Sequence, residues 1–349
     1  MTADSLLSVR TVADYLRVNG HISRRGEATA RELAGGISNV VLRVDHDGGS
    51  LVVKQSLPKL RVSVDWEFDR ARILGERDCM IALAGLLGQD AVPGVLFSDE
   101  EQFVLGMTCA PDGGVVWKDA LLAGIAEPVV AQRAGVLLAR LQRAAAADAT
   151  LSRRFDDISP LIQGRVDPYH RTAAIANPDL APVIDAEVDR LLATHRTLVL
   201  GDFAPKNMIA YPDRVLLLDF EVAHWGDPAF DVAFLLTHLI LKAYWRPGRA
   251  ERYLDLARDF WRAYRSALGD EPPAEGPVVC ELACLLLSRV DGKSKVEYLT
   301  DAASRRSVRA LARELLADAP GSVGGILDLV RERLGPTAVR SGAGCPTFD

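Results

Sequence analysis

An α+β fold in two unequal lobes is the expectation for this chain, and three observations point to it. At 349 residues the chain is long for one hydrophobic core. Short β-branched runs separated by Gly- and Asp-rich turns crowd into its first third. Nearly everything after Pro111 reads as helix.

In chain order, Leu6, Val9, Val12 and Leu16 recur at helical spacing, so a helix is expected over 5–19, stopped at Gly20. "RELAGGISNVVLRVDHDGGSLVVKQ" (31–55) contains two β-branched runs around the turn "HDGG", which predicts an antiparallel hairpin. Residues 66–88 read as a helix with Gly75 inside it, and 91–111 as two strands around an Asp-Glu turn. Helices are then expected over 127–149, 179–195, 227–245 and 249–268, with two more stretches reaching about residue 334. Short strands "LVL" and "VLLLD" bracket a polar loop at 201–214, which they would hold at the end of a small hairpin. The implied organisation is an N-terminal lobe over 1–108, a mainly α C-terminal lobe over 109–335 and a mobile tail over 336–349, with a cleft between the lobes.

Composition narrows the function. A net charge of −6 argues against a general nucleic-acid or anionic-membrane binder. The five cysteines form no CxxC pair and the histidines no HExxH pattern, which fits a reducing, cytoplasmic setting rather than a metal or disulfide framework. No apolar stretch is long enough to span a bilayer, and no signal-peptide core opens the chain.

The chemistry concentrates in "LVLGDFAPKNMIAYPDRVLLLDFE" (198–221). Asp202 can orient a hydroxyl or accept its proton. Asn207 and Asp219 offer one neutral and one anionic hard oxygen, which together with phosphate oxygens and water suit Mg²⁺. A base and a metal site are what phosphoryl transfer requires. Each of these residues alone reads as a turn or cap residue; the ordered set D-x4-N-x11-D between apolar strands does not.

"GDFAPKN", "LLLDFE" and "GDPAFDVAF" resemble the core patterns of the aminoglycoside phosphotransferase and choline kinase-like families, over roughly residues 30–320. The resemblance implies a protein-kinase-like two-lobe fold with an N-terminal antiparallel sheet, and an ATP-dependent enzyme that phosphorylates a hydroxyl of a small molecule. It implies that Asp202 is the catalytic base, that Asn207 and Asp219 bind Mg²⁺, and that Glu221 is a weaker candidate for metal or outer contact. "AGGISN" (34–39) falls where the family's loop covers the phosphates, which marks Gly35, Gly36, Ser38 and Asn39 for nucleotide; by itself the Gly-Gly pair reads as an ordinary turn. Lys54 takes the position of the lysine on the α- and β-phosphates, with Glu76 as its expected partner and Glu67 as the runner-up. The backbone from Met107 through Cys109 to Ala110 would meet the adenine. Lys206 is either a neutraliser of the transferring phosphate or a solvated loop lysine.

Asp227 and Asp231 are expected to cap and brace the helix that follows them. "RVDGKSKVEYL" (289–299) reads as a solvated inter-helix loop or as a substrate contact. "WKDALLAG", "DPYH" and "RVDGKS" are similar to bacterial members related to methylthioribose kinase, which implies a sugar-like acceptor. Beyond residue 150 acidic and basic residues nearly balance, so composition does not favour a cationic aminoglycoside. A protein kinase is disfavoured because no DFG and no APE-bounded segment follows. A kinase-fold protein that binds nucleotide without turnover is the alternative. It rests on Leu200, where the family usually has a histidine that braces the loop.

Overall fold

The computed structural model describes residues 6–33, 37–61, 66–269 and 274–335. Gly35, Gly36 and the tail beyond residue 335 lie outside these. The first lobe is built on strands β1 (Ala28–Glu32), β2 (Asn39–His46), β3 (Gly49–Ser56), β4 (Val95–Asp99) and β5 (Val104–Thr108). They form one antiparallel sheet in the order β1-β2-β3-β5-β4. The alternation of buried and partly exposed residues along β2 puts Val40, Leu42 and Val44 on one face, against Leu51 and Val53 of β3. The helix Val12–Val18 packs on that face through Val12, Tyr15 and Leu16.

The helix Arg72–Leu87 crosses toward the second lobe and buries Ile73, Cys79, Met80 and Leu83 in a core continuous with it. Two charged residues, Arg72 and Glu76, share that buried face. The helix starts six residues later than the sequence suggests because Trp66–Phe68 is held extended. Phe68 N donates to Pro58 O, Trp66 Nε1 donates to Gln163 O at 3.0 Å, and Glu67 bridges Lys59 through the backbone.

The second lobe is mainly helical. The helices Pro128–Ala146, Ala229–Trp245, Ala250–Leu268 and Glu275–Asp291 form its centre. Ala229–Trp245 is buried on every side, which matches its unbroken apolar sequence. Gly135 lets Pro128–Ala146 approach Ala250–Leu268 closely: a Cβ there would lie 2.5 Å from Phe260 O. Three helices rather than two fill 275–334, namely Glu275–Asp291, Ala302–Ala317 and Val323–Leu334.

Small strands carry the polar loop. β7 (Thr197–Val199) pairs with β10 (His224–Gly226), whereas β8 (Met208–Ala210) and β9 (Val215–Leu217) form a hairpin extended by β6 (Val115–Val116). The expected hairpin between "LVL" and "VLLLD" is therefore incorrect, since the two strands belong to different sheets. The sequence reading also missed β1, whose mostly exposed side chains lack apolar alternation. It missed as well the wide-turned helical segment Ile162–Arg171, which contains Pro168.

Candidate active site

Asp202 lies three residues beyond β7, at the entrance to the second lobe. Gly201 before it has φ +71°, and a Cβ there would stand 2.8 Å from Val222 O, so glycine is required both for conformation and for space. The preceding Leu200 is 3% exposed and belongs to the apolar core. The backbone is braced from elsewhere: the Asp231 carboxylate accepts from Leu200 N at 2.7 Å and from Gly201 N at 2.9 Å. Asp231 thus holds the loop rather than its own helix. Asp227 does cap that helix, accepting from Ala229 N at 2.9 Å, and its other oxygen pairs with Arg190.

Two cations grip Asp202. Lys206 Nζ is 2.7 Å from Oδ2, and Arg165 Nη2 is 3.1 Å from Oδ1. Arg165 also donates from Nε to Gly201 O at 2.7 Å, so one buried guanidinium fixes both the carboxylate and the backbone before it. Burial opposes ionisation of Asp202, but Lys206 and then Arg165 outweigh it and hold the carboxyl far below its ordinary range. Lys206 is therefore paired with the loop's own aspartate, although its side chain remains 45% exposed.

Asn207 donates from its amide nitrogen to Asp202 O at 3.0 Å, so the amide oxygen is the group left to offer. Its own backbone carbonyl accepts from Leu218 N, which ties it to the strand end that presents Asp219. Asp219 has φ +65°, an uncommon conformation for a non-glycine residue, and its side chain is 25% exposed to the cleft. Asp202, Asn207 and Asp219 line one cavity.

The first lobe meets them through Lys54. Its Nζ lies 2.7 Å from Glu76 Oε2 and 2.5 Å from Asp219 Oδ1. Glu76, not the exposed Glu67, is the partner. Burial alone would discharge this lysine; Asp219 and Glu76 reverse that and raise its pKa. A second tie joins the lobes at Glu221. Arg72 Nε stands 3.1 Å from Glu221 Oε2, and Asn39 Nδ2 donates to the same oxygen at 2.9 Å. Arg72 also donates to Ser38 O and Leu57 O. Burial resists, yet Lys54 and Arg72 push Glu221 down to about 2. Ser38 and Asn39 are thus buried and oriented by Glu221. Glu221 Oε2 is the oxygen engaged by that tie.

Met107 is embedded in β5, opposite Val52 of β3 and Val95 of β4. Thr108 N still donates to Gly94 O at 2.8 Å, and Cys109 and Ala110 are half-buried just past the strand. The described residues contain no cluster of three or more His, Cys, Asp or Glu able to enclose a metal. The pair formed by the Asn207 amide oxygen and the Asp219 carboxylate is instead an open set of hard oxygens, which fits a dication whose remaining ligands come from a phosphate chain and water.

Arg72 and Arg165 are the site residues that sequence reading missed. Arg72 had a signal, since it is a charged residue on the apolar stripe of its helix. Arg165 had none, because its segment has no regular helical period.

Residues 29–276 match the phosphotransferase enzyme family (APH), and the chain belongs to that family. Methylthioribose kinase 2 of Oryza sativa subsp. japonica is 26% identical over 255 residues, covering 65% of this chain and 60% of the relative. The methylthioribose kinase of Bacillus cereus strain G9842 is 24% identical over 263 residues, covering 67% of this chain and 65% of the relative. The match thus spans less than two thirds of these relatives' own lengths. A choline/ethanolamine kinase family protein from Mesorhizobium loti superposes with a TM-score of 0.56 at 17% identity, over 93% of this chain and 98% of that one. At such identity the likeness establishes the protein-kinase-like, two-lobed fold.

Proposed function

We propose that this phosphotransferase-family protein transfers the γ-phosphoryl group of ATP to a hydroxyl of a small, sugar-like molecule. The observation that carries the reading is the meeting of Asp202, Asn207 and Asp219 at one cavity with the Lys54–Glu76 pair of the opposite lobe. Lys54 binds the α- and β-phosphates, and Glu76 keeps it charged and aimed. The segment through Gly35, Gly36, Ser38 and Asn39 covers the phosphates, and the backbone from Met107 to Cys109 receives the base. Asn207 and Asp219 hold Mg²⁺, which when bound offsets the charge of the phosphates. The boundary between the lobes falls at residues 108 and 109.

Asp202 accepts a hydrogen bond from the acceptor hydroxyl and aligns its oxygen with the γ-phosphorus. The new O–P bond forms as the bond to ADP breaks, and the hydroxyl proton passes to Asp202 and then to solvent. Because Lys206 and Arg165 make Asp202 a weak base, its main contribution is orientation, with proton acceptance late. Lys206 also stands where it can neutralise the moving phosphoryl group.

The methylthioribose kinases among the relatives support a sugar-like acceptor. Free Cys79, Cys109, Cys280 and Cys284 support a reducing, cytoplasmic setting, and no helix among the described residues is long and apolar enough to cross a membrane. The test is incubation with Mg²⁺-ATP and a panel of sugars, nucleosides and antibiotics, read as a mass gain of one phosphate. Tight ATP binding with no transfer to any acceptor would favour a nucleotide-binding protein without turnover.

A further inference from the structure

On the far side of Tyr169 from Arg165 and Asp202, the second lobe buries two cations that form no ion pair among the described residues. Arg289, on Glu275–Asp291, is 8% exposed, and Lys242, on Ala229–Trp245, is 1% exposed. Among the described residues neither has a carboxylate within ion-pair distance. Arg289 donates from Nη1 to Tyr169 Oη at 2.8 Å and to Ser294 Oγ at 2.9 Å, which leaves its buried Nε without a partner. Lys242 has only a long contact to His238 O, 3.4 Å, and the Tyr298 ring at 5.0 Å. The Tyr298 hydroxyl is also buried and unpartnered.

Tyr169 connects this cluster to the reacting centre. The Arg289 and Arg165 guanidinium groups each lie 5.3 Å from its ring centroid, and Arg165 contacts Asp202. The one carboxylate bearing on Lys242, Glu297, is ion-paired with Lys118. An uncompensated buried charge is costly to a folded protein. Burial, Lys118 and Arg289 together push Lys242 down to about 7, and burial with Arg289 and Lys242 drives His238 well below its usual value. An anion joining such a set would favour its charged form.

We propose that Arg289 and Lys242, with the Tyr298 hydroxyl, form a subsite for an anionic group of the acceptor, a carboxylate or a phosphate. Resting on the kinase reading above, this makes the acceptor a hydroxylated anion such as a sugar phosphate or a sugar acid. It disfavours choline and aminoglycosides, whose cations would face Arg289 and Lys242.

Binding is measured by calorimetry in Mg²⁺ with a saturating non-hydrolysable ATP analogue, which blocks the nucleotide phosphate site. Inorganic phosphate and acetate probe the subsite alone, and distinguish phosphate from carboxylate. Ribose 5-phosphate, ribonate and ribose probe its link to an acceptor. Wild-type protein should bind at least one anion of each set, and an anionic ribose derivative about tenfold or more tighter than ribose. Arg289→Gln and Lys242→Met should each weaken anion binding about 10- to 100-fold while nucleotide affinity holds. Lys242→Met should also raise the melting temperature of the ligand-free protein, since it removes an unpaired buried charge. Equal binding of ribose and its anionic derivatives, no anion binding at all, or a lower melting temperature for Lys242→Met would overturn the subsite. Anion binding without phosphate transfer would leave the subsite standing and remove the kinase reading.

Discussion

Two groups of buried charge are built on opposite rules. On the first-lobe side every cation has an anion: Lys54 has Glu76 and Asp219, and Arg72 has Glu221. In the second lobe, Arg289 beside Tyr169 and Lys242 beside Tyr298 have no ion-pair partner among the described residues. A paired cluster is preorganised, because its geometry is set before any ligand arrives. An unpaired one is completed by its ligand and therefore selects it by charge. Asp202 lies between them, since one of its own cations, Arg165, also stacks over the Tyr169 ring that Arg289 contacts.

Breaking the residue between them should have the largest effect. Asp202→Asn keeps the shape of the loop but, on the proposed function, removes the acceptor of the hydroxyl proton, and should lower kcat by about 10²- to 10⁴-fold while ATP affinity changes little. Steady-state kinetics paired with nucleotide calorimetry checks this, and an unchanged kcat would take Asp202 out of the reaction. Next in size is the preorganised cluster. Lys54→Met leaves Glu76 beside Asp219 without their cation and, on the proposed function, removes charge-assisted bonds to phosphate. It should raise the KM for ATP about 10- to 100-fold.

Leu200→His probes whether the loop needs a polar brace. Its backbone already has Asp231, and its side chain is in the apolar core, so an imidazole there should cost about 1–3 kcal/mol of stability without raising kcat. A gain in turnover would show that the loop is under-braced. The smallest effect on turnover is expected at the tie between the lobes. Glu221 has a folded pKa of about 2, below its ordinary 4.5, so its contribution is full above pH 4.5 and lost as pH falls toward 2. Glu221→Gln leaves the buried Arg72 without its carboxylate and should cost about 3 kcal/mol at pH 7, and it should flatten the acid limb of the stability curve between those values, read by urea unfolding.

Much of this was legible from local pattern. Asp202, Asn207 and Asp219 are close in sequence and bounded by apolar runs, and the structure brings them to one cavity. Lys54 at the end of a β-branched run meets Glu76 one helix later. The pairing of β7 with β10 was not legible, because three-residue strands carry too little alternation to name a partner. Nor was the brace at Leu200: a missing histidine looked like a loss, while the hydrogen bonds came from Asp231, thirty-one residues away. "RVDGKSKVEYL" looked like a solvated loop by composition, yet it begins with a buried arginine because Tyr169 and Ser294 give its guanidinium partners.

The sequence by itself determined the chemical inventory and its local spacing: a carboxylate, an amide oxygen and a second carboxylate on strand ends, and a lysine and a glutamate one element apart. Residues within one or two elements are held at distances set by helix rise and strand pairing, so their order nearly dictates their geometry. Tertiary structure alone decided how the more distant charges are paired. Arg72 reaches Glu221 across 149 positions, and Arg289 reaches Tyr169 across 120. Whether a buried cation ends beside a carboxylate or beside an aromatic ring depends on how the helices pack, and with it what the cleft accepts.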